Sequence, residues 1–171
     1  MKLFLIGLPG SGKSYLGEKL ALKLSFKFID LDGLIESNHN KRIAEIFHEE
    51  GEDYFRKIES KTLLNQIKQG NNFVLSCGGG TPCYNSNMQL LKKSGITVYL
   101  KSNIKSIIAR LNQSNETAKR PLLNQGDKLE KRVTQLLYDR SSYYEQADYI
   151  LEIDKLDDPV HALASLVTRT R

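Results

Sequence analysis

Five short apolar runs, at 3–6, 26–29, 73–76, 97–100 and 149–153, are compact and unbroken enough to be strands buried on both faces. Between them the period changes to that of a helix. Leu16, Leu20 and Leu24 recur every fourth residue, and Phe55, Ile58 and Leu63 mark one side of a longer segment. The pattern predicts helices over 15–24, 43–49, 53–68, 85–93, 104–112, 128–146 and 159–168, with Gly51, Gly70 and Gly95 at helix ends. Strand alternating with helix predicts an α/β domain with a parallel sheet, because parallel neighbours need a long crossover and a helix supplies it. The stretch 113–124 breaks this rhythm: it is polar, has little periodicity and lies between two helices. It is the candidate for a mobile lid.

A length of 171 residues suits one domain spanning 1–171, with a five-stranded sheet covered on both faces. No apolar run approaches the roughly 20 residues of a membrane-spanning helix. The apolar stretch at 3–8 is too short for a secretory signal and runs straight into a Gly-rich loop, so the expectation is a cytoplasmic protein with no membrane partner. Cys77 and Cys83 have no His or further Cys at metal spacing and are expected as reduced thiols, without zinc. The net charge of +5 is spread along the chain without a dense basic tract, which favours small anions over nucleic acid.

The chemistry begins at Gly7-Leu8-Pro9-Gly10-Ser11-Gly12-Lys13-Ser14, which fills the G-x-x-x-x-G-K-[ST] template of a phosphate-binding loop. Backbone N–H groups from Gly10, Ser11, Gly12 and Lys13 must converge on phosphate oxygens, and glycine lets the chain turn tightly enough for that. A strand before the loop and a helix N-terminus after it complete the anion site. Lys13 is expected to face solvent until a nucleotide arrives and then to reach its outer phosphates, while Ser14 ligates Mg²⁺. Asp30 and Asp32 follow the second strand, at the sheet edge where open α/β sheets bind ligands. One could serve Mg²⁺ and the other could take a proton from a hydroxyl, although Asp32 could instead merely cap a following helix. Arg56 lies near one end of its helix, placed to fork onto a carboxylate or simply to sit in water. Gly78-Gly79-Gly80 follows a strand, either as a turn that a ligand can approach closely or as a plain flexible turn. Arg120 in the candidate lid and Arg140 in the 128–146 helix are each, taken alone, ordinary surface charges.

The set Gly7 to Ser14, Asp30-x-Asp32, Phe55-Arg56-x-Ile58-Glu59, Gly78 to Gly80, Arg120-Pro121-Leu122-Leu123 and Arg140 followed by Tyr143-Tyr144 resembles the shikimate kinases in order and approximate spacing. The resemblance covers nearly the whole chain. It implies a three-layer P-loop kinase fold with strand order 2-3-1-4-5, and transfer of the γ-phosphate of ATP to the 3-hydroxyl of shikimate; a monomer is expected. Asp32 would hold the acceptor hydroxyls and act as base, and Asp30 would assist Mg²⁺ through water. Arg56 and Arg140 would clamp the shikimate carboxylate, Gly79 and Gly80 would contact the ring hydroxyls, Arg110 would lie against adenine, and Arg120 would stabilise charge on the transferring phosphate. Thr81-Pro82-Cys83-Tyr84 and Pro9 depart from the common pattern, and neither is expected to touch a reacting group. The alternatives are a gluconate or nucleoside monophosphate kinase, which would use the same phosphate loop, and a nucleotide-binding switch. The switch lacks its guanine motif, since Asn124-Gln125-Gly126-Asp127 has no lysine.

Overall fold

The computed structural model describes residues 1–113 and 129–169. Strands β1 (Lys2–Ile6), β2 (Lys27–Asp30), β3 (Phe73–Ser76), β4 (Ile96–Lys101) and β5 (Tyr149–Glu152) form one parallel sheet in the order 2-3-1-4-5. That is the order the resemblance implies. β1 lies at the centre, with Leu3 opposite both Val74 and Ile96, and side-chain alternation sends its residues into two separate cores. Leu3 and Leu5 pack with Leu16 and Leu20 of α1 (Lys13–Leu24) and with Leu163 of α7 (Pro159–Arg169). Phe4 and Ile6 point the other way, into a cluster with Leu63 of α3 (Ile43–Gln69), Leu91 of α4 (Asn87–Ser94), Ile107 of α5 (Ile104–Gln113) and Tyr144 of α6 (Leu129–Tyr144). Helices therefore cover both faces, and among the described residues none is long and apolar enough to cross a membrane.

Four differences from the sequence pattern have local causes. A nine-residue helix, α2 (Leu31–His39), follows β2 directly and was hidden because its apolar side, Leu31, Leu34 and Ile35, spans little more than one turn. The helices expected over 43–49 and 53–68 are two limbs of α3, which bends at Gly51 (φ 83°, ψ 171°). A Cβ there would meet nothing within 4 Å, so the glycine is needed for its backbone angle and not for space. α4 starts two residues late, because Asn85 and Ser86 take left-handed angles of 51° and 57°. β5 stops at Glu152 and Ile153–Lys155 is a single 3₁₀ turn. Of the expected lid, only Gln113, the last residue of α5, lies within the described residues.

Candidate active site

β1 ends in the phosphate loop, and its three glycines Gly7, Gly10 and Gly12 have φ of 140°, 79° and 90°, angles an L side chain adopts only with strain. Space is short as well, since a Cβ on Gly7 would lie 2.9 Å from the Leu100 carbonyl oxygen. Lys13 opens α1, but it does not face solvent as expected. It is 7% exposed, and its Nζ donates to the carbonyls of Gly7 at 2.9 Å and Leu8 at 2.8 Å. The ammonium thus closes the loop onto itself, satisfied by backbone dipoles in place of phosphate oxygens.

Ser14 Oγ donates to Asp30 Oδ2 at 2.5 Å and lies 3.2 Å from Ser76 Oγ, so the ends of β2 and β3 meet the start of α1. The other Asp30 oxygen accepts the Gly33 N–H at 3.2 Å and caps α2. Capping therefore falls to Asp30, and Asp32 sits inside the first turn, half-buried. Its Oδ1 comes within 2.7 Å of where a Cβ on Gly78 would stand. Lys13, Asp30, Asp32, Gly79 and Arg110 all line one cavity of about 550 Å³ at the carboxyl edge of the sheet. Arg110 reaches it from α5. Its Nη1 donates to the Gly10 carbonyl at 3.2 Å and to Ser102 Oγ at 3.0 Å, and its Nη2 pairs with Asp154 at 3.0 Å.

Beyond the glycine turn, Arg56 and Arg140 are not surface charges: they are 5% and 6% exposed. Arg56 projects from α3 just after the bend at Gly51. Nη1 donates to Glu59 Oε2 at 2.9 Å, and Nε and Nη2 both donate to Glu52 Oε1, at 3.2 and 2.9 Å. Its guanidinium carbon is 4.2 Å from the Tyr84 ring centroid, within cation–π range. Burial works against this charge, but the Glu59 and Glu52 carboxylates outweigh it and hold the guanidinium above its ordinary pKa. Arg140 comes from α6. A Cβ on Gly79 would lie 3.2 Å from its Nη1, and one on Gly80 would lie 2.6 Å from Arg56 Nη2, so the turn is bare where two guanidiniums pass it. None of these three glycines has a positive φ, so they are needed for room alone. Gly79 lines the cavity, whereas Gly80 is buried under Arg56 and does not. Arg120 lies outside the described residues.

The two departures in sequence shape this site. Pro9 packs on the turn, its Cδ 2.7 Å from a Cβ placed on Gly79. Thr81 donates its hydroxyl to Glu59 Oε1 at 2.6 Å, and Tyr84 covers Arg56 while its own hydroxyl reaches Glu52 at 3.2 Å. Cys83 is half-buried near both arginines; burial pushes its thiol up to about 11, against the pull of Arg140 and Arg56. Both cysteines are free thiols, as expected. From sequence, Glu52, Glu59, Thr81 and Tyr144 were given no role, although the last three stand in the motifs quoted. The two glutamates were findable, standing four residues before and three after Arg56, the helical spacings that bring side chains together. Tyr144 donates to the Gly79 carbonyl at 2.5 Å from one turn beyond Arg140.

The family model for shikimate kinase matches residues 9–169. A shikimate kinase from Flavobacterium psychrophilum is 40% identical over 156 residues, 90% of this chain and 90% of that one. The crystal structure of shikimate kinase from Bacteroides thetaiotaomicron resembles the present fold with a TM-score of 0.90 at 35% identity, over 98% of each chain. Shikimate kinase from Acinetobacter baumannii in complex with shikimate gives a TM-score of 0.84 at 31% identity, over 99% of this chain and 91% of that one. A deoxyadenosine kinase from M. mycoides, 17% identical with a TM-score of 0.61, shares the fold alone.

Proposed function

The chain belongs to the shikimate kinase family, and from that membership we propose how its residues divide the transfer of the γ-phosphate of ATP to the 3-hydroxyl of shikimate. It is an ATP-dependent kinase, and its phosphate loop holds the co-substrate through the N–H groups of Gly10 to Ser14. Lys13 exchanges its two loop carbonyls for phosphate oxygens and neutralises charge that grows during transfer. Arg110, held above the loop by Gly10, Ser102 and Asp154, is placed for the adenine.

Asp32 is the base that takes the hydroxyl proton. Its carboxylate lines the cavity that the phosphate loop also lines, while the cap of α2 is supplied by Asp30. Arg56 and Arg140 take the acceptor carboxylate, Gly79 and Gly80 leave room for the ring and for the arginines, and Arg120 carries charge on the transferring phosphate, a role that rests on the family pattern. Mg²⁺ fits Ser14 and Asp30: two hard oxygen donors 2.5 Å apart beside the phosphate loop, with no cluster of three His, Cys, Asp or Glu among the described residues to form an all-protein cage. When bound, the ion would screen the phosphate charge. The protein is proposed to act as a cytoplasmic monomer formed by one domain, with neither nucleic acid nor membrane as partner.

The observation that carries this assignment is convergence. A phosphate cradle, the Asp32 carboxylate and a pair of buried arginines from four distant segments surround one glycine turn. The decisive experiment is a coupled ADP-release assay against shikimate, gluconate and nucleoside monophosphates. Turnover with shikimate alone is expected, and a better rate with gluconate or a nucleotide acceptor would replace the assignment.

A further inference from the structure

Two carboxylates share the Arg56 guanidinium, and they are held very differently. Glu59 is fully buried and anchored from behind by the Thr81 hydroxyl at 2.6 Å. The Glu52 side chain is 37% exposed and lines, together with Arg140, a cavity of about 370 Å³ on the acceptor side of the site. One oxygen of Glu52 takes the whole Nε and Nη2 edge of Arg56 and also the Tyr84 hydroxyl. That edge is a two-donor fork of the kind a carboxylate grips with both oxygens. It is already filled by a carboxylate from the protein itself.

We infer that Glu52 is an exchangeable stand-in for the acceptor carboxylate, seated on Arg56 in the empty site and displaced when an anionic acceptor binds. This rests on Arg56 being the carboxylate clamp. If Glu52 stayed, the incoming carboxylate would meet a like charge beside the same guanidinium, in a partly buried place where water screens poorly. Arg56 itself does not need Glu52 to stay in position. Glu59 holds Nη1, the Tyr84 ring lies 4.2 Å from the guanidinium carbon, and the bare Gly80 lets the guanidinium press against the turn. The arrangement sets specificity as well as affinity. An anionic acceptor replaces one carboxylate by another, whereas a neutral polyol leaves Glu52 in place and gains nothing from Arg56.

The test is calorimetric binding of shikimate and of its methyl ester to the parent protein and to Glu52→Gln, Glu52→Ala and Arg56→Ala. Removing the competing charge is expected to tighten shikimate about 3- to 10-fold, the scale of one half-exposed charged pair, in both Glu52 variants. Ester binding should be unchanged. Equal or weaker shikimate binding in both Glu52 variants, with Arg56→Ala still impaired, would show that Glu52 merely supports Arg56 and would overturn the inference. If Arg56→Ala binds shikimate as the parent does, the clamp itself is refuted and the inference falls with it.

Discussion

With the residues assigned as proposed, the nucleotide half and the acceptor half of this site solve the same problem, holding an anion, by opposite means. The phosphate loop does it with backbone: consecutive N–H groups, three glycines at positive φ and one lysine that rests on two of the loop's own carbonyls. The acceptor half does it with side chains from α3, α6 and the turn after β3, and there Arg56 is already paired with Glu52 and Glu59. Backbone cradles are contiguous in sequence and ready once the strand and helix form. Side-chain clamps depend on tertiary packing, so they tolerate variation such as Thr81 to Tyr84 but also feel it. The nucleotide half should therefore lose function abruptly when altered, and the acceptor half in steps.

The most abrupt loss is expected for Lys13→Ala, on the order of 10³-fold in kcat, because nothing else in the loop supplies a positive charge on the phosphates. Since the lysine is buried and bonded to two carbonyls, the variant should also melt a few degrees lower. A fall in kcat of tens-fold or less, measured by coupled ADP release, would remove Lys13 from the transfer step. Next in size is Asp32→Asn, which keeps shape and removes basicity. A fall on the order of 10²-fold in kcat, with ATP binding little changed, is expected, and kcat within a few-fold of the parent would return Asp32 to a structural role.

Arg56→Ala and Arg140→Ala sharpen the contrast from the other side. Each should raise the acceptor KM by roughly 10- to 150-fold at similar ATP KM, the equivalent of about 1.5 to 3 kcal/mol for a charge-assisted contact. The methyl ester of shikimate should show the same loss with the parent and little further loss with either variant, because the contact is already gone. An ester used as well as the acid would refute the clamp.

The smallest effect expected is on stability in alkali. Burial raises the Cys83 thiol to about 11, against roughly 8.5 for an unfolded cysteine. Below the unfolded value both states hold the proton and the fold keeps its full stability. Between about 8.5 and 11 only the unfolded chain releases the proton, so stability falls as pH rises through that window. Thermal melts from pH 8 to 10.5 should decline less steeply in Cys83→Ser than in the parent, and parallel slopes would show that the thiol is solvated.

How much of this could be read in the sequence divides along the same line. The five strands, both helical layers and the phosphate loop follow from short, local patterns, namely unbroken apolar runs, fourfold leucine spacing and a fixed octapeptide, whereas the order of the strands came from the family resemblance alone. α2 escaped because its apolar stripe, Leu31, Leu34 and Ile35, spans little more than one turn, and α3 looked like two helices because glycine usually ends one. In the acceptor half, Arg56 and Arg140 were indistinguishable from solvated arginines without family resemblance, since burial there is imposed by residues 80 to 84, distant in sequence from both. The seat of Pro9 is likewise set by tertiary packing. Nothing adjacent to it in sequence reveals that it rests on Gly79.

That contact between Pro9 and Gly79 carries a thermodynamic obligation. The phosphate loop and the acceptor turn touch with no spare volume: one Cβ at residue 79 would already intrude to 2.7 Å on the proline ring. Tyr144 fastens the same turn from below by its carbonyl, so the turn cannot yield alone when the loop tightens around a phosphate. Two ligands that share such a joint do not bind independently, and the cycle of binding events must close. Whatever factor by which ATP strengthens or weakens the hold on shikimate, shikimate returns to ATP the identical factor.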